Sequence, residues 1–305
     1  MIKQFVYFAA LAEARHFGRA AEACHVSQPT LSSAIRQLED ELGVMLVERG
    51  HRFTGLTPEG EVVLDHARRI VAETETLKQA IADMKGGVGG RLRLGAIPTA
   101  LPMITRITAP FSARFPAARL TVMSMTSDEI MHAIRAFEID VGVTYLDNEP
   151  LDGVVSRPIY REAYVLLTGA DTDIAARDSL PWAEAAQLRL CLLTADMQNR
   201  RIVDGIFRSV GVQPTPAMET NSIFNLCTHA GVQGLSSIVP RQLLDYFGMP
   251  PGIRAVPLVD PDARRTIGLV AADREPIAPM ARHLLAMTPP IADAADREPG
   301  RGAEA

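Results

Sequence analysis

Up to residue 84 the apolar positions fall at helical spacing, and from residue 91 they gather instead into short runs. Arg19 to Cys24 reads as a short Ala-rich helix, His25-Val26 as a tight turn, and Ser27 as the residue that caps the next helix. In that second helix Leu31, Ile35, Leu38 and Leu42 recur at spacings of four, three and four and make one apolar stripe. The other face carries Gln28, Thr30, Ser32, Ser33 and Arg36, short polar groups and one cation near a helix N-terminus. Two helices joined by a tight turn and followed by a short wing, Arg49-Gly50-His51-Arg52-Phe53, are the arrangement that places a helix in the DNA major groove. An ordinary amphipathic surface helix would carry the same stripe, so the pattern alone leaves both readings open.

After Thr57 the spacing predicts a long helix with Pro58 in its first turn. Val63, Ala67, Ile70, Thr74, Leu77, Ile81 and Met84 repeat at alternating steps of four and three, a heptad seam along which two chains would pack. A helix lying on its own domain is the alternative, since Ala67 and Thr74 weaken the seam. Gly86-Gly87-Val88-Gly89-Gly90 ends the helix in a flexible joint. Beyond it, Arg91 to Pro98, Arg119 to Thr126, Val141 to Tyr145, Tyr164 to Thr168, Leu188 to Leu193, Pro216 to Thr220, Leu235 to Pro240 and Ile267 to Ala272 read as strands separated by helical segments. The expectation is an α/β module with largely parallel sheets.

Ligand sites in such modules lie beyond the carboxyl ends of strands, where a loop feeds a helix N-terminus. Thr99 and Ala100, Thr126 and Ser127, Thr144, and Gln198 and Asn199 all fall at such points. Hydroxyls, side-chain amides and helix amides together suit a small anion, although each Thr or Ser taken singly serves equally well as a helix cap. Met103, Met125, Met197 and Tyr145 stand near these loops, and their bulk argues for a compact cleft that takes a small carboxylate more readily than a sugar.

The ordered run Phe5 to Glu13, Phe17 to Glu22, Val26 to Ser32, Ile35 to Glu39, Leu42 to Val44, Leu46 to Arg49 and Leu56 to Gly60 resembles the amino-terminal domain of LysR-type transcriptional regulators over nearly sixty residues. The resemblance implies an α+β multidomain protein: an all-α winged helix-turn-helix domain over 1–57, a dimerising linker helix over 58–87, a hinge at 88–91, and a two-lobed effector domain like a periplasmic binding protein. Its first lobe would hold 92–160 and 266–289 and its second 161–265, with a disordered tail over 290–305. It further implies that Gln28, Pro29 and Ser32 meet base edges and that Arg52 enters the minor groove, within a DNA-contacting set completed by Ser27, Thr30, Ser33 and Arg36. Ser33 departs from the basic residue frequent at that position, and the wing is poor in cations, which points to salt-sensitive binding. In this family residues matching Thr99, Thr126 or Ser127 and the Gln198-Asn199 loop line the effector cleft. The close spacing from Thr194 to Arg201 resembles a subgroup tied to formate or one-carbon metabolism. Double-stranded promoter DNA, a small anionic effector, a second copy in a homodimer or homotetramer, and RNA polymerase are the implied partners.

Composition adds limits. Lys3, Arg15, Arg19, Arg36, Arg49 and Arg52 balance Glu13, Glu22, Glu39, Asp40, Glu41 and Glu48 over residues 1–57, so DNA binding would rest on the placement of a few groups rather than on a basic domain. The whole chain, 305 residues with a net charge of −5, is large enough for two or more packed domains and unlike a general polyanion binder. Lys3, Gln4, Glu13 and Arg15 interrupt the only candidate signal peptide and no run approaches a membrane span, so a cytoplasmic protein is expected. Cys24, Cys191 and Cys227 are too few for a disulfide scaffold, and buried structural roles are the simpler reading of the last two. Neither Cys24-His25 nor Cys227-Thr228-His229 has metal-ligand spacing, so no metal or cofactor is expected. Enzyme and exported solute-binding protein are the competing classes. The glycine run precedes a strand instead of following one, Gly234-Leu235-Ser236-Ser237 is not a nucleophile elbow, and a solute-binding protein would not need residues 1–57.

Overall fold

A computed structural model of the chain describes residues 1–48, 53–84 and 89–288, apart from the Phe247 side chain. Arg49 to Arg52 of the expected wing, residues 85–88 at the expected joint, and the tail from 289 onward lie outside the described residues. The chain divides into two compact units, Met1–Gly89 with Arg135–Glu138 and Gly90–Ile134 with Ile139 onward.

The first unit is built from four helices, α1 (Ile2–Ala14), α2 (Phe17–Ala23), α3 (Gln28–Leu42) and α4 (Pro58–Met84). Phe5, Phe8 and Leu11 of α1, Ala20 and Ala21 of α2, Leu31, Ile35 and Leu38 of α3, Leu46, and Leu64 and Ala67 of α4 meet in one core. The small side chains of α2 let it approach closely. His16 caps it, with Nδ1 accepting from the Gly18 and Arg19 amides. The apolar stripe of α3 stops one turn early: Leu42 is exposed and Glu39 is buried in its place. Gly43, at φ 70°, takes the left-handed cap that ends α3. A single antiparallel bridge, Val47 to Leu56, marks the base of the wing. Thr57 then caps α4, with Oγ1 accepting from the Gly60 amide at 2.9 Å and donating to the Met45 carbonyl at 2.6 Å.

The second unit contains two sheets. Strands β1 (Gly90–Ala96), β2 (Ala118–Ser124), β3 (Val141–Tyr145), β4 (Val154–Glu162) and β11 (Arg265–Ala272) form the first, in order β2-β1-β3-β11-β4. Strands β5 (Tyr164–Gly169), β6 (Leu180–Pro181), β7 (Leu190–Leu193), β8 (Met218–Thr220), β9 (Ser236–Pro240) and β10 (Ile253–Val259) form the second, in order β6-β10-β5-β9-β7-β8. Helices α5 (Thr105–Arg114), α6 (Ser127–Arg135) and α11 (Pro279–Met287) accompany the first sheet; α7 (Trp182–Ala185), α8 (Gln198–Ser209), α9 (Ile223–His229) and α10 (Gln242–Phe247) belong to the second.

The sheets are mixed rather than largely parallel. β11 runs antiparallel to both β3 and β4, and β5 runs antiparallel to both β9 and β10. The cause is the connectivity: β4 passes straight into β5 and β10 into β11, so each sheet receives returning strands that no helix precedes. The strand patterns of β4 and β10 are interrupted by Pro158 and Pro257, and neither was expected from the sequence; β4 tolerates its proline as an edge strand.

Candidate functional site

The first site is the exposed face of α3. Ser27 Oγ accepts from the Thr30 amide at 3.3 Å and lies 2.8 Å from Thr30 Oγ1, so these two residues spend their polar groups on starting the helix. Gln28, Pro29, Ser33 and Arg36 are exposed and Ser32 is half-buried. At about 100° per residue these five fall within an arc of about 140°, and Thr30 lies outside it. Of the eight residues expected at DNA, five therefore share one face, two form its cap, and Arg52 lies outside the described residues. Pro29 stands in the first turn, where its missing amide proton costs nothing.

The second site is a cavity between the two sheets of the second unit. It measures about 230 Å³ out to its open mouth and is lined by Ile97, Pro98, Thr99, Thr126, Ser127, Tyr145, Leu193, Met197, Gln198 and Asn199. These residues follow the carboxyl ends of β1, β2 and β7 or, as Tyr145 does, end β3, so the lining comes from four strand ends. Met197 and Tyr145 crowd this space, which suits a molecule of few atoms. Thr99, Thr126, Ser127, Gln198 and Asn199 line the cavity together. Thr144 stands one bond behind, donating to Gln198 Oε1 at 3.3 Å, and Ala100 lies buried in the turn after Thr99 without reaching the lining. Met197 and Tyr145 reach the cavity; Met103 and Met125 do not line it.

Two helices point their N-termini here. Thr126 and Glu129 close the first turn of α6 reciprocally, the Thr126 hydroxyl accepting from the Glu129 amide and the Glu129 carboxylate from the Thr126 amide. On α8 the residue at the cap position is Met197, which has no side-chain acceptor to offer, so the first-turn amides of this twelve-residue helix face the cavity uncapped by any side chain. Arg200 anchors that end of α8, donating to the Leu193 carbonyl at 2.6 Å and to Glu219 and Asp204.

Contacts from one sheet's elements to the other's bridge the two sides of the cavity. Asn199 Nδ2 donates to the Tyr145 hydroxyl at 2.8 Å, and Gln198 Nε2 donates to Asn148 Oδ1 at 3.2 Å. Arg201 forks onto Glu149 at 2.8 and 3.1 Å and reaches Ser127 Oγ at 3.4 Å. Sequence reasoning missed Glu149 and also missed Glu162, which accepts from the Tyr145 hydroxyl at 2.6 Å and is wholly buried. Burial pushes the Glu162 carboxyl up to about 8, with Asp147 adding to the rise and the surrounding hydroxyls opposing it. A Glu at the end of a strand that Pro158 interrupts, directly after Arg161, offers no signal by which its burial could be read in advance.

Cys191 is buried in β7 and Cys227 is half-buried on α9, and both belong to the core of the second sheet. Desolvation pushes both thiols above their ordinary range. Among the described residues no group of three or more His, Cys, Asp or Glu side chains could hold a metal ion, and no helix is long and apolar enough to cross a membrane.

Residues 2–61 match the family "Bacterial regulatory helix-turn-helix protein, lysR family", and residues 85–289 match "LysR substrate binding domain". The chain is 30% identical over 277 residues to the DNA-binding transcriptional dual regulator OxyR of Escherichia coli, covering 90% of each protein. Its structure is similar to a full-length OxyR variant from Pseudomonas aeruginosa, with a TM-score of 0.76, 27% identity, and 94% and 96% of the two chains covered. It also shares the fold of full-length CbnR crystallised with its target DNA, with a TM-score of 0.68, 24% identity, and 94% and 98% covered.

Proposed function

This chain belongs to the LysR family of DNA-binding transcriptional regulators, and from that premise we propose that it reads promoter DNA through α3 and is switched by a small anion, formate or another compact carboxylate, held between its two sheets. The observation that carries the effector reading is the uncapped N-terminus of α8 facing a cavity of about 230 Å³ that hydroxyls and amides line. Helix amides and their dipole favour negative charge by roughly 0.3–1 kcal/mol when exposed and more when partly buried. Relatives are transcription regulators rather than enzymes, and nothing in the cavity assembles a nucleophile with a base. Several relatives carry the name hydrogen peroxide-inducible genes activator. Cys191 and Cys227 do not support a thiol route to that response here, because the thiolate is the reactive species and burial disfavours it at both positions.

The apolar seam of α4 supports assembly. Ile70, Leu77, Ile81 and Met84 are 36%, 61%, 46% and 89% exposed in a single chain, and a second copy packed along α4 would cover them. Two DNA-reading faces per dimer, or four per homotetramer, would compensate for the neutral charge balance of residues 1–57. A ligand that prefers one opening of the cleft would then change subunit geometry and the spacing of the DNA half-sites. RNA polymerase is the further partner this role implies.

Thermal unfolding of the full chain against formate, acetate, nitrate and hydrogen peroxide tests the effector reading. A ligand at a hundred times its Kd should stabilise the fold by about 2.7 kcal/mol, a shift of several degrees. A shift with formate or acetate that Thr99→Ala abolishes is expected; a shift with peroxide alone would overturn the anion. On the DNA side, Gln28→Ala should lose about 1–3 kcal/mol of discrimination at one base pair while leaving affinity for unrelated DNA unchanged. Equal loss on all sequences, measured by competition binding at fixed salt, would contradict base contact.

A further inference from the structure

Glu162 ends β4 with one residue between it and β5, at the crossover between the two sheets, and meets the cavity lining through the hydroxyls of Tyr145 and Thr99. The Tyr145 oxygen already accepts from Asn199 Nδ2, and Thr99 Oγ1 lies 3.4 Å away on the cavity side. A phenol has one proton and two lone pairs to give. If Glu162 is ionised, the single Tyr145 proton must go to it, and only oxygen lone pairs remain toward the cavity. If Glu162 carries a proton, it donates to Tyr145 Oη, and the phenol proton turns toward the ligand.

We infer that Glu162 and Tyr145 make effector binding proton-linked: a small anion and one proton bind together, the proton on Glu162 and the anion accepting from the Tyr145 hydroxyl. The inference rests on the small-anion reading above. Geometry argues for the protonated state, because Glu162 Oε1 is fully buried without a hydrogen-bond partner, a costly position for half of a carboxylate. The groups that face it from the packed elements offset that burial only in part: the Tyr145, Thr99 and Tyr160 hydroxyls favour the carboxylate, and burial outweighs them. Tyr145 stands on β3 with Asp147 just beyond, Tyr160 on β4 and Tyr164 on β5, and Arg265 on β11 pairs in register with Glu162. Burial raises the carboxyl to about 8, which places the switch just above neutrality.

Isothermal calorimetry on the full chain with sodium formate and sodium acetate, from pH 6 to pH 9, tests this, since both ligands stay ionised throughout. The expected Kd is flat up to about pH 7 and weakens toward tenfold per pH unit above about pH 8, and the heat in buffers of different ionisation enthalpy should show uptake of up to one proton per site. Glu162→Gln keeps a neutral donor, so it should bind with the same Kd at every pH and take up no proton. The sign in the ligand-free protein follows from the raised carboxyl: stability is full below the unfolded-state value of 4.5 and is lost as pH rises toward about 8, a loss Glu162→Gln should not show. Binding of formate with an unchanged Kd from pH 6 to pH 9 and no proton uptake would overturn the linkage and leave the anion reading standing. No heat with either carboxylate at any pH would overturn both.

Discussion

Glu39→Ala is expected to destabilise the first unit by about 2–4 kcal/mol and to abolish DNA binding near its unfolding midpoint. Glu39 is 8% exposed, and its Oε1 accepts from the Leu46 amide at 2.8 Å and the Val47 amide at 3.2 Å. These bonds tie the last turn of α3 to the bridge at the base of the wing, and the neighbouring Thr57 bonds tie Met45 to the start of α4. Truncation strands two buried amide protons, each costing about 1–3 kcal/mol, and frees α3 from the elements that hold it. Glu39→Gln keeps a carbonyl acceptor and should lose less than half as much. Chemical denaturation followed alongside binding of a DNA fragment checks both variants; an Ala variant within 0.5 kcal/mol of the parent would show that water or a shifted backbone replaces the carboxylate.

Gly268→Ala should cost the second unit about 3 kcal/mol or more and weaken effector binding with it. Gly268 lies on β11 opposite Thr144 of β3 and Pro158 of β4, beside a register shift. A Cβ there would stand 2.5 Å from the Arg157 carbonyl oxygen and would also press on Leu146. The carbonyl is backbone and cannot rotate away, so β11 must move from β4 or from β3. Movement from β3 displaces Thr144 and Tyr145, which hold Gln198 and Asn199 at the cavity. Thermal unfolding of the variant with and without formate separates the two effects: a lower midpoint with an undiminished ligand shift would show that β3 stayed in place.

The two faces differ in how they are encoded. The α3 face is local: Leu31, Ile35 and Leu38 pin one side to the core by spacing alone, and the other side, Gln28, Ser33 and Arg36, is then exposed by geometry. Spacing could not show where the stripe ends. Leu42 keeps the apolar period yet is exposed, because Gly43 turns the chain away and brings the Leu46 and Val47 amides over Glu39. The same holds for α4, whose regular seam is divided in space: Ala67 is buried in the core of the first unit, while Leu77 and Met84 stay exposed.

In the cavity, the strand-end rule brought out Thr99, Thr126, Ser127, Gln198 and Asn199, because strand direction and helix starts are written in short stretches of chain. Which of their polar groups are free was decided elsewhere. The Thr126 hydroxyl is taken by its own helix cap, and Thr144 is spent on Gln198. The amphipathic periods, the helix starts at Ser27 and Pro58, and the domain order thus follow from residues within one or two turns of each other, where spacing alone sets which groups share a face. The antiparallel returns of β4 and β10, the latch from Arg201 to Glu149, and the burial of Glu162 behind Tyr145 join residues 17 to 54 positions apart or more. Only the folded chain decides them, because burial and partner choice, rather than residue type, determine whether a carboxyl, a phenol or a guanidinium is exposed, paired or held neutral.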